Sequence, residues 1–316
     1  MHEKQKFDSG SDQFDPTNSR RSGFVAVIGP PNAGKSTLIN EIVGGKVSIV
    51  SPKVQTTRSR IRGIHIAGND QIVLVDTPGI FIGAKTRLER SMVHAAWKGE
   101  FEADASLVLL DASKGICKDF EDLINKMKER KKRPLIAINK IDAIERKALL
   151  PLASKIDAYG IFKKIFMISA LNGDGVPDLL NYLCNILPKG QWLYPEDQIS
   201  DISERMLAAE ITREKLFLQL HQELPYSAAV HTEQWKERED GSIRVEQVIY
   251  VQKESHKIMV LGKSGKKIKV IGKSSREELT SILGRRVHLF IFVKVRARWP
   301  EDPERYRDLG LEFDIK

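Results

Sequence analysis

The sequence predicts an α/β domain with a mostly parallel sheet, followed by a smaller α+β domain. Short apolar runs such as FVAVIG, IVLVDTPG, SLVLLDAS, PLIAINKID and IFMISA each end in Gly, Asp, Asn or Ser and alternate with longer polar segments. Buried parallel strands with crossover helices give this pattern. The pattern stops near residue 189, and 316 residues with 41% hydrophobic side chains suffice for two compact domains.

These changes divide the chain into segments. Residues 1–22 are polar and predict a disordered leader, and residues 23–188 form the first domain. Prolines 188 and 195 interrupt the pattern, so residues 189–200 are predicted to be a linker. Residues 201–316 form the second domain.

Composition narrows the class of protein. No run reaches the roughly 18 apolar residues of a membrane helix, and the opening lacks the apolar core of a secretory signal, so we expect a cytoplasmic protein. Cys117 and Cys184 have neither metal-ligand spacing nor the number for a disulfide framework. The formal net charge is +9, with 13 basic against 3 acidic side chains between residues 253 and 298, which favours an acidic partner.

The first predicted strand leads into a phosphate-binding loop. The sequence GPPNAGKS (29–36) follows FVAVI and precedes TLINEIVGG, whose apolar spacing is helical. In such a loop, backbone N–H groups face phosphate oxygens, the lysine neutralises the outer phosphates and the serine hydroxyl reaches Mg²⁺. The candidate nucleotide-binding residues are Asn32, Ala33, Gly34, Lys35, Ser36 and Thr37.

Two further strand ends contribute to the same predicted site. Asp76 ends IVLV and is placed to hold Mg²⁺, while the N–H of Gly79 would face the terminal phosphate; an ordinary turn is the alternative for DTPG. After PLIAI come Asn139, Lys140 and Asp142, whose carboxylate matches the ring N–H and exocyclic amine of guanine. Ser169 and Ala170, after IFMI, would contact the guanine carbonyl through the backbone. We therefore expect GTP or GDP.

In the second domain, Asp201 and Glu204 have capping-box spacing and predict the start of a helix. SAAVHTEQWKE and SIRVEQVIYVQ predict a hairpin, HKIMVL a strand, KKIKVI a helix, and VHLFIFVKVRARW a strand with Lys294, Arg296 and Arg298 on one face. The run KMKERKKR (126–133) in the first domain is interpreted as a solvated helix end before a strand.

The stretch VLGKSGKKIKVIG (260–272) looks suited to phosphate but fails the rule for a second nucleotide loop. That rule requires a glycine five positions before each Gly-Lys pair, where this chain has Lys257 and Lys267. A Gly-x-x-Gly loop with lysines beside it is instead typical of KH modules, which clamp about four nucleotides. The candidate RNA-binding residues are Gly262, Lys263, Ser264, Gly265, Lys266 and Lys267.

Taken together, these motifs resemble the Era family: a P-loop GTPase domain followed by a type II KH domain. SPKVQTTRSRIRG (51–63) is similar to the family's first switch loop, which implies that Thr57, with Thr56 as the alternative, completes a Mg²⁺ shell with Ser36 and Asp76. The resemblance implies catalysis by Lys35, Thr57 and Gly79. It also implies a K⁺ ion held by Asn32 in some relatives.

The position after DTPG implies slow chemistry. Signalling GTPases carry there a glutamine that orients water, whereas this chain has Ile80, so we expect unaided turnover no faster than about 10⁻³ s⁻¹.

The resemblance further implies a GTP-dependent switch and slow hydrolysis of GTP to GDP and phosphate. Its expected target is single-stranded rRNA near the 3′ end of 16S rRNA in the 30S subunit, whose assembly and maturation the protein would assist. A monomer with peripheral association at the inner face of the cell membrane is also expected. A constitutive RNA-binding protein and a GTPase acting on membranes stay open as alternatives.

Overall fold

The computed structural model describes residues 20–53, 56–80, 84, 86–220 and 228–315. Most of the predicted leader, residues 1–19, lies outside the described residues. No helix within the described part of the chain is both long and apolar enough to span a bilayer.

The first half of the chain folds around a sheet of six strands in the order β2-β3-β1-β4-β5-β6. The strands are β1 (Ser22–Ile28), β2 (Ile61–Ala67), β3 (Asp70–Asp76), β4 (Ala105–Asp111), β5 (Leu135–Asn139) and β6 (Ile165–Met167). Only β2 runs antiparallel, against β3, and the other pairs are parallel. The predicted mostly parallel sheet is confirmed.

Helices cover both faces of this sheet, which explains why its strands are apolar on both sides. They are α1 (Lys35–Val43), α2 (Arg87–Glu102), α3 (Lys118–Glu129), α4 (Arg146–Asp157) and α5 (Val176–Ile186). Alternate residues of β1 enter different clusters: Val25 and Val27 pack towards α1 and α5, whereas Ala26 and Ile28 pack towards α2 and α3. The polar residues that end the strands are thereby held at one rigid edge.

The second half has a sheet of three strands, and its three longer helices cover one face of that sheet. Its elements are α6 (Glu204–Gln219), β7 (Ala228–Glu237), β8 (Ile243–Val251), α7 (Glu254–Leu261), α8 (Lys266–Leu283), β9 (Val287–Val295) and α9 (Pro303–Asp308). The predicted hairpin is confirmed, because β7 and β8 pair antiparallel across the Glu-Asp-Gly turn, and β8 pairs parallel with β9. This is the predicted KH arrangement.

Three local predictions for this half were wrong. HKIMVL belongs to helix α7 and is not a strand, since it forms one continuous helix with the preceding Glu254 and Ser255. The predicted helix is present as α6, but its cap is Ser203, whose hydroxyl accepts the Met206 N–H, and not Asp201, whose carboxylate accepts hydrogen bonds from Arg62. Strand β9 ends at Val295, so of the three predicted cations only Lys294 lies on it.

The two halves pack against each other through an apolar cluster. Leu88, Met92 and Ala95 on α2 meet Val248 and Tyr250 on β8, and the C-terminal segment adds Trp299, Tyr306 and Leu311. Removing apolar surface from water is favourable by about 25 cal/mol per Å², so this cluster stabilises the contact between the halves.

Candidate functional site

The predicted phosphate loop lies between β1 and α1, with backbone conformations that its sequence permits. Asn32 and Gly34 have φ angles of 63° and 96°. A Cβ on Gly34 would lie 2.2 Å from the Asn139 side-chain nitrogen, so glycine is required there. The loop can therefore fold tightly against Asn139 at the end of β5, beside the amino end of α1, where anions are favoured.

Lys35 is held inside this loop. Its ammonium donates to the carbonyl oxygens of Gly29 at 3.2 Å and Pro30 at 3.0 Å, and the residue is 6% exposed. Burial lowers the pKa of Lys35 to about 8, although the nearby Asp76 carboxylate raises it in part. A buried cation of this kind is stabilised by an anion such as a phosphate group, which restores the charge balance.

Three hydroxyl groups converge on Asp76 at the end of β3. Its Oδ2 accepts hydrogen bonds from Ser36 at 2.8 Å, Ser48 at 2.6 Å and Thr57 at 3.2 Å. Its Oδ1 is buried without a hydrogen-bond partner, and burial raises the pKa of this carboxyl group. An unpartnered buried carboxylate oxygen beside hydroxyl oxygens is the donor set that Mg²⁺ prefers. Sequence reasoning missed Ser48, which no motif marks.

The structure distinguishes the two candidate threonines. The Thr57 hydroxyl lies 3.0 Å from the Ser36 hydroxyl. The Thr56 hydroxyl instead donates to the Lys53 carbonyl at 2.7 Å, inside its own loop. Thr57 is therefore brought to the other candidate metal ligands, and Thr56 is not.

Gly79 lies directly against the phosphate loop. A Cβ at this position would be 3.1 Å from the Cα of Pro31. The next residue, Ile80, donates its N–H to the Gly29 carbonyl at 3.2 Å and is 2% exposed within the apolar core. The Ile80 side chain thus fixes DTPG against β1 and does not face the space where a phosphate would lie.

Asn139 connects the loops at the predicted guanine end. Its amide nitrogen donates to the Ala33 carbonyl at 2.8 Å, and its amide oxygen accepts the Ala170 N–H at 2.9 Å. The Ser169 hydroxyl donates to Asp142 at 2.5 Å. The side chain of Lys140 extends to Asp111 at 2.6 Å and also lines the pocket above the phosphate loop. Asn139 therefore ties the phosphate loop to the loop after β6, and Asp142 is held beside that loop by its hydrogen bond from Ser169.

The predicted RNA clamp joins α7 to α8. Gly262, Ser264 and Gly265 have φ angles of 69°, 53° and 71°, and a Cβ on Gly262 would lie 2.6 Å from the Cβ of Lys267. Lys263 and Lys266 are exposed, and Lys267 is half-buried. A polynucleotide backbone can thus approach the loop, where the amino end of α8 and the lysines attract phosphate.

The loop between α1 and β2 is fastened to helix α6 of the second half, a contact that no sequence motif predicts. Glu214 accepts the Val50 N–H at 2.8 Å and pairs with Lys46 at 2.6 Å. Arg213 donates to the Thr56 carbonyl at 2.5 Å. The ammonium of Lys53 contacts the carbonyl oxygens at the end of α6. The residues beside Thr57 therefore contact the second domain directly.

Fold and site together define a GTP-hydrolysing P-loop domain joined to a KH module. Family models agree: one described as a 50S ribosome-binding GTPase matches residues 24–140, and one for the KH domain matches residues 223–300. The chain is 56% identical over 305 residues to GTPase Era of Agrobacterium fabrum, covering 96% of this chain and 95% of that protein. It is 57% identical over 293 residues to GTPase Era of Brucella suis, covering 93% and 94%.

Solved structures extend the likeness to the whole fold. Era from Aquifex aeolicus bound to GDP and AlF4⁻ superposes with a TM-score of 0.87 at 39% identity, covering 93% of this chain and 100% of that one. Era in complex with MgGDPNP and nucleotides 1506–1542 of 16S ribosomal RNA gives a TM-score of 0.88 at 39% identity, covering 94% and 100%. The chain belongs to the Era family of GTPases, and it binds and hydrolyses GTP.

Proposed function

We propose that this protein is a GTP-controlled switch that binds single-stranded rRNA near the 3′ end of 16S rRNA and assists maturation of the small ribosomal subunit. The observation that carries the proposal is the contact between helix α6 and the loop that presents Thr57. Helix α6 of the second domain therefore contacts the loop that carries Thr57 of the nucleotide site. The Era structure with rRNA nucleotides 1506–1542 supports the choice of RNA.

At the nucleotide site, each predicted residue has a role that suits its position. The backbone from Asn32 to Thr37 would surround the phosphates, and Asp142 would select guanine. Ser36, Thr57 and Asp76 would hold Mg²⁺, whose contribution when bound is to neutralise charge on the β- and γ-phosphates. The unpartnered Oδ1 of Asp76 supports this assignment.

Hydrolysis would rely on positioning of the phosphates and on stabilisation of their charge. Lys35, whose ammonium is held by the loop carbonyls, would stabilise the charge that develops on the γ-phosphate. The Gly79 N–H would bind a γ-phosphate oxygen. Because Ile80 is buried, the described residues after DTPG supply no side chain to orient water, which agrees with slow turnover. The Asn32 side-chain nitrogen donates to the Pro52 carbonyl at 2.7 Å, so the amide oxygen of Asn32 would be available to bind K⁺.

At the RNA site, the clamp would hold the sugar-phosphate chain while apolar side chains contact bases. Ile258 and Met259 on α7 are 64% and 52% exposed, and Val270 on α8 is 46% exposed. Exposed apolar side chains that flank a cationic loop suit unstacked bases better than they suit water. These three residues were not identified from the sequence.

GTP would control RNA binding through the loop. Contacts from Thr57 to the metal and from the backbone to the γ-phosphate would hold the loop in one position, and hydrolysis would release it. Because Arg213 and Glu214 hold the neighbouring backbone, each loop position would favour a different position of α6. The switch is thus a coupling between two sites, and it must act in both directions.

The experiment compares two glycines with the same geometry. Gly265 and Gly284 have φ angles of 71° and 65°, and a Cβ on either would meet nothing within 4 Å. Gly265→Asp should lower affinity for the 1506–1542 rRNA segment by at least about 100-fold, because it places a negative charge where phosphate binds. Gly284→Asp, in the same domain, should bind normally.

GTP hydrolysis should persist in both variants. If Gly265→Asp binds this RNA as Gly284→Asp does, the KH loop is not the RNA site. Binding that is lost in both variants would also overturn the assignment, since it would reflect the fold of the domain and not the clamp.

Peripheral membrane association, a monomeric state, K⁺ dependence and the linker boundaries at residues 189 and 200 stay predictions. Flotation with anionic vesicles, sedimentation, and hydrolysis assays in KCl and NaCl would test the first three.

A further inference from the structure

A basic surface lies at the edge of the first sheet that the nucleotide does not use. Nucleotides bind where parallel strands end. At the opposite edge, the segments leading into β5 and β6 carry exposed or half-buried cations. We call this surface the basic edge, and it consists of Lys131, Lys132, Arg133, Lys163 and Lys164. Its first three residues end the run KMKERKKR, which we interpreted from the sequence as a solvated helix end.

The cations of the basic edge are close together in space. The Lys163 N–H donates to the Pro134 carbonyl at 2.9 Å, which joins the two segments. Lys131, Lys132, Arg133 and Lys163 line one groove, whose single carboxylate, Asp104, accepts the Phe24 N–H at 2.7 Å. Within the described part of the chain, Lys132 alone of the five has an ion-pair partner, Glu100 at 3.5 Å. This excess of positive charge is not neutralised internally.

The backbone at Lys131 points to function. Helix α3 ends there in a Schellman motif, in which Lys132 N–H donates to the Met127 carbonyl and Lys131 has φ of 53°. Glycine is the residue that fits this position without strain. Non-glycine residues with positive φ among the described residues are otherwise Asn32, Lys140 and Ser264, which lie in the nucleotide loop, the guanine motif and the RNA clamp. Strained residues of this kind cluster at functional sites.

Aromatic rings border the basic edge and hold cations in place. The guanidinium of Arg130 lies 4.2 Å from the ring centre of Trp97, and the ammonium of Lys164 lies 4.6 Å from that of Tyr182. Phe101, 75% exposed, lies beside Lys132. Cations fixed over rings beside an exposed ring are suited to a nucleic-acid backbone with accessible bases.

We propose that the basic edge is a second RNA-binding surface, which contacts phosphates of the same rRNA outside the segment held by the KH clamp. A membrane is the poorer fit, because interfacial binding needs a broad apolar face and the exposed apolar side chains here are Phe101 and Ile186. The inference rests on the RNA binding proposed above. It adds a contact on the GTPase domain to the contact proposed for the KH clamp.

The test uses two RNA probes and charge-matched variants of the full chain. The short probe is a single strand of about 10 nucleotides taken from the clamped segment, long enough for a KH site. The long probe is protein-free 16S rRNA. Lys131→Glu with Arg133→Glu changes the basic edge, which precedes β5. Arg146→Glu with Lys147→Glu makes the same charge change at the start of α4, which follows the carboxyl end of β5.

The basic-edge variant should bind 16S rRNA about tenfold more weakly than the α4 variant, with a shallower dependence on salt, because two phosphate contacts are lost. It should bind the short probe normally and hydrolyse GTP normally. Equal binding of 16S rRNA by the two variants would overturn the proposal. Failure of the unmodified protein to bind the short probe would overturn the proposed KH function instead.

Two further results address the alternatives. Lys131→Gly should leave the melting temperature unchanged or raised and weaken 16S rRNA binding about threefold, since glycine removes the charge and the strain together. Binding at the unmodified level would show that Lys131 has only a local role and would contradict the proposal. A basic-edge variant that loses binding to phosphatidylglycerol vesicles but keeps 16S rRNA binding would make this a membrane surface and overturn the proposal.

Discussion

The two anion sites of this molecule are built in contrasting ways. At the nucleotide site, Lys35 and Asp76 are buried and held by hydrogen bonds from fixed backbone and hydroxyl groups. At the KH clamp, Lys263 and Lys266 extend into water from a short loop. A buried, prearranged site selects one small ligand, because any mismatch leaves polar groups unpaired. An exposed site accepts any strand that brings phosphates close, and its affinity depends on salt.

The contrast predicts that the largest loss of affinity follows from the change of one carboxylate oxygen at the nucleotide site. Asp142→Asn should lower GDP affinity by about 10⁴-fold, because an amide cannot accept both N–H groups of guanine. Xanthosine diphosphate, which presents a carbonyl in place of the exocyclic amine, should bind the variant better than GDP. Calorimetry with both nucleotides checks this, with Asp157→Asn on α4 as the control. An undiminished preference for guanine would show that the base is recognised elsewhere.

Removing the buried cation should have the next largest effect. Lys35→Ala should reduce GTP turnover by about 10²- to 10³-fold, the usual loss when one preorganised charge is removed from a transition state. Because burial lowers the pKa of Lys35, this lysine is poorly stabilised without phosphate, and the variant should remain folded. Single-turnover hydrolysis measures the effect, and Lys118→Ala, on the surface of α3, is the control. Turnover within tenfold of the unmodified protein would contradict the assigned role.

A smaller effect is expected where the two regions meet. Arg213 is 2% exposed, pairs with Glu210 and donates to the Thr56 carbonyl. Replacing Arg213 alone would leave a buried charge, at a cost of about 3–5 kcal/mol, so the test variant is Glu210→Gln with Arg213→Met. This variant should reduce the effect of GTP on RNA affinity to within about threefold, since coupling residues contribute about 0.5–2 kcal/mol.

The matched control for this variant is Arg205→Met. Arg205 lies on the same helix and donates to the carbonyls of Thr232 and Glu233, away from the loop. Its substitution should leave the nucleotide dependence of RNA binding intact. If both variants retain that dependence, the Arg213 contact does not transmit the signal.

The nucleotide site was predictable from the sequence because each of its motifs is a short continuous stretch that follows an apolar run. Lys35, Asp76, Asp142 and Ser169 each follow an apolar run, and parallel strands bring such ends to one edge. Ser48 could not be found, since its place beside Asp76 depends on the path of an irregular loop. The Arg213 contact to Thr56 joins residues far apart in sequence, and periodicity carries no information about it.

The KH domain shows a different limit. The order of elements suggested the fold, yet HKIMVL was assigned to a strand although it is helical. An apolar run of this length is too short to show whether its hydrophobic period is that of a helix or that of a strand, so tertiary packing decides. Here Val260 of α7 is buried against residues of β8 and α8, while Ile258 and Met259 stay exposed, whereas a strand would place residues 258 and 260 on the same face.

The measurement that tests the account most directly is the affinity of the full chain for the 1506–1542 rRNA segment, with a non-hydrolysable GTP analogue and with GDP. If the Thr57 loop and helix α6 link the two anion sites, the dissociation constants should differ by about 5-fold or more, the range of ordinary coupling energies. A difference below about twofold, with both nucleotides bound at saturation, corresponds to less than about 0.4 kcal/mol and would contradict the link.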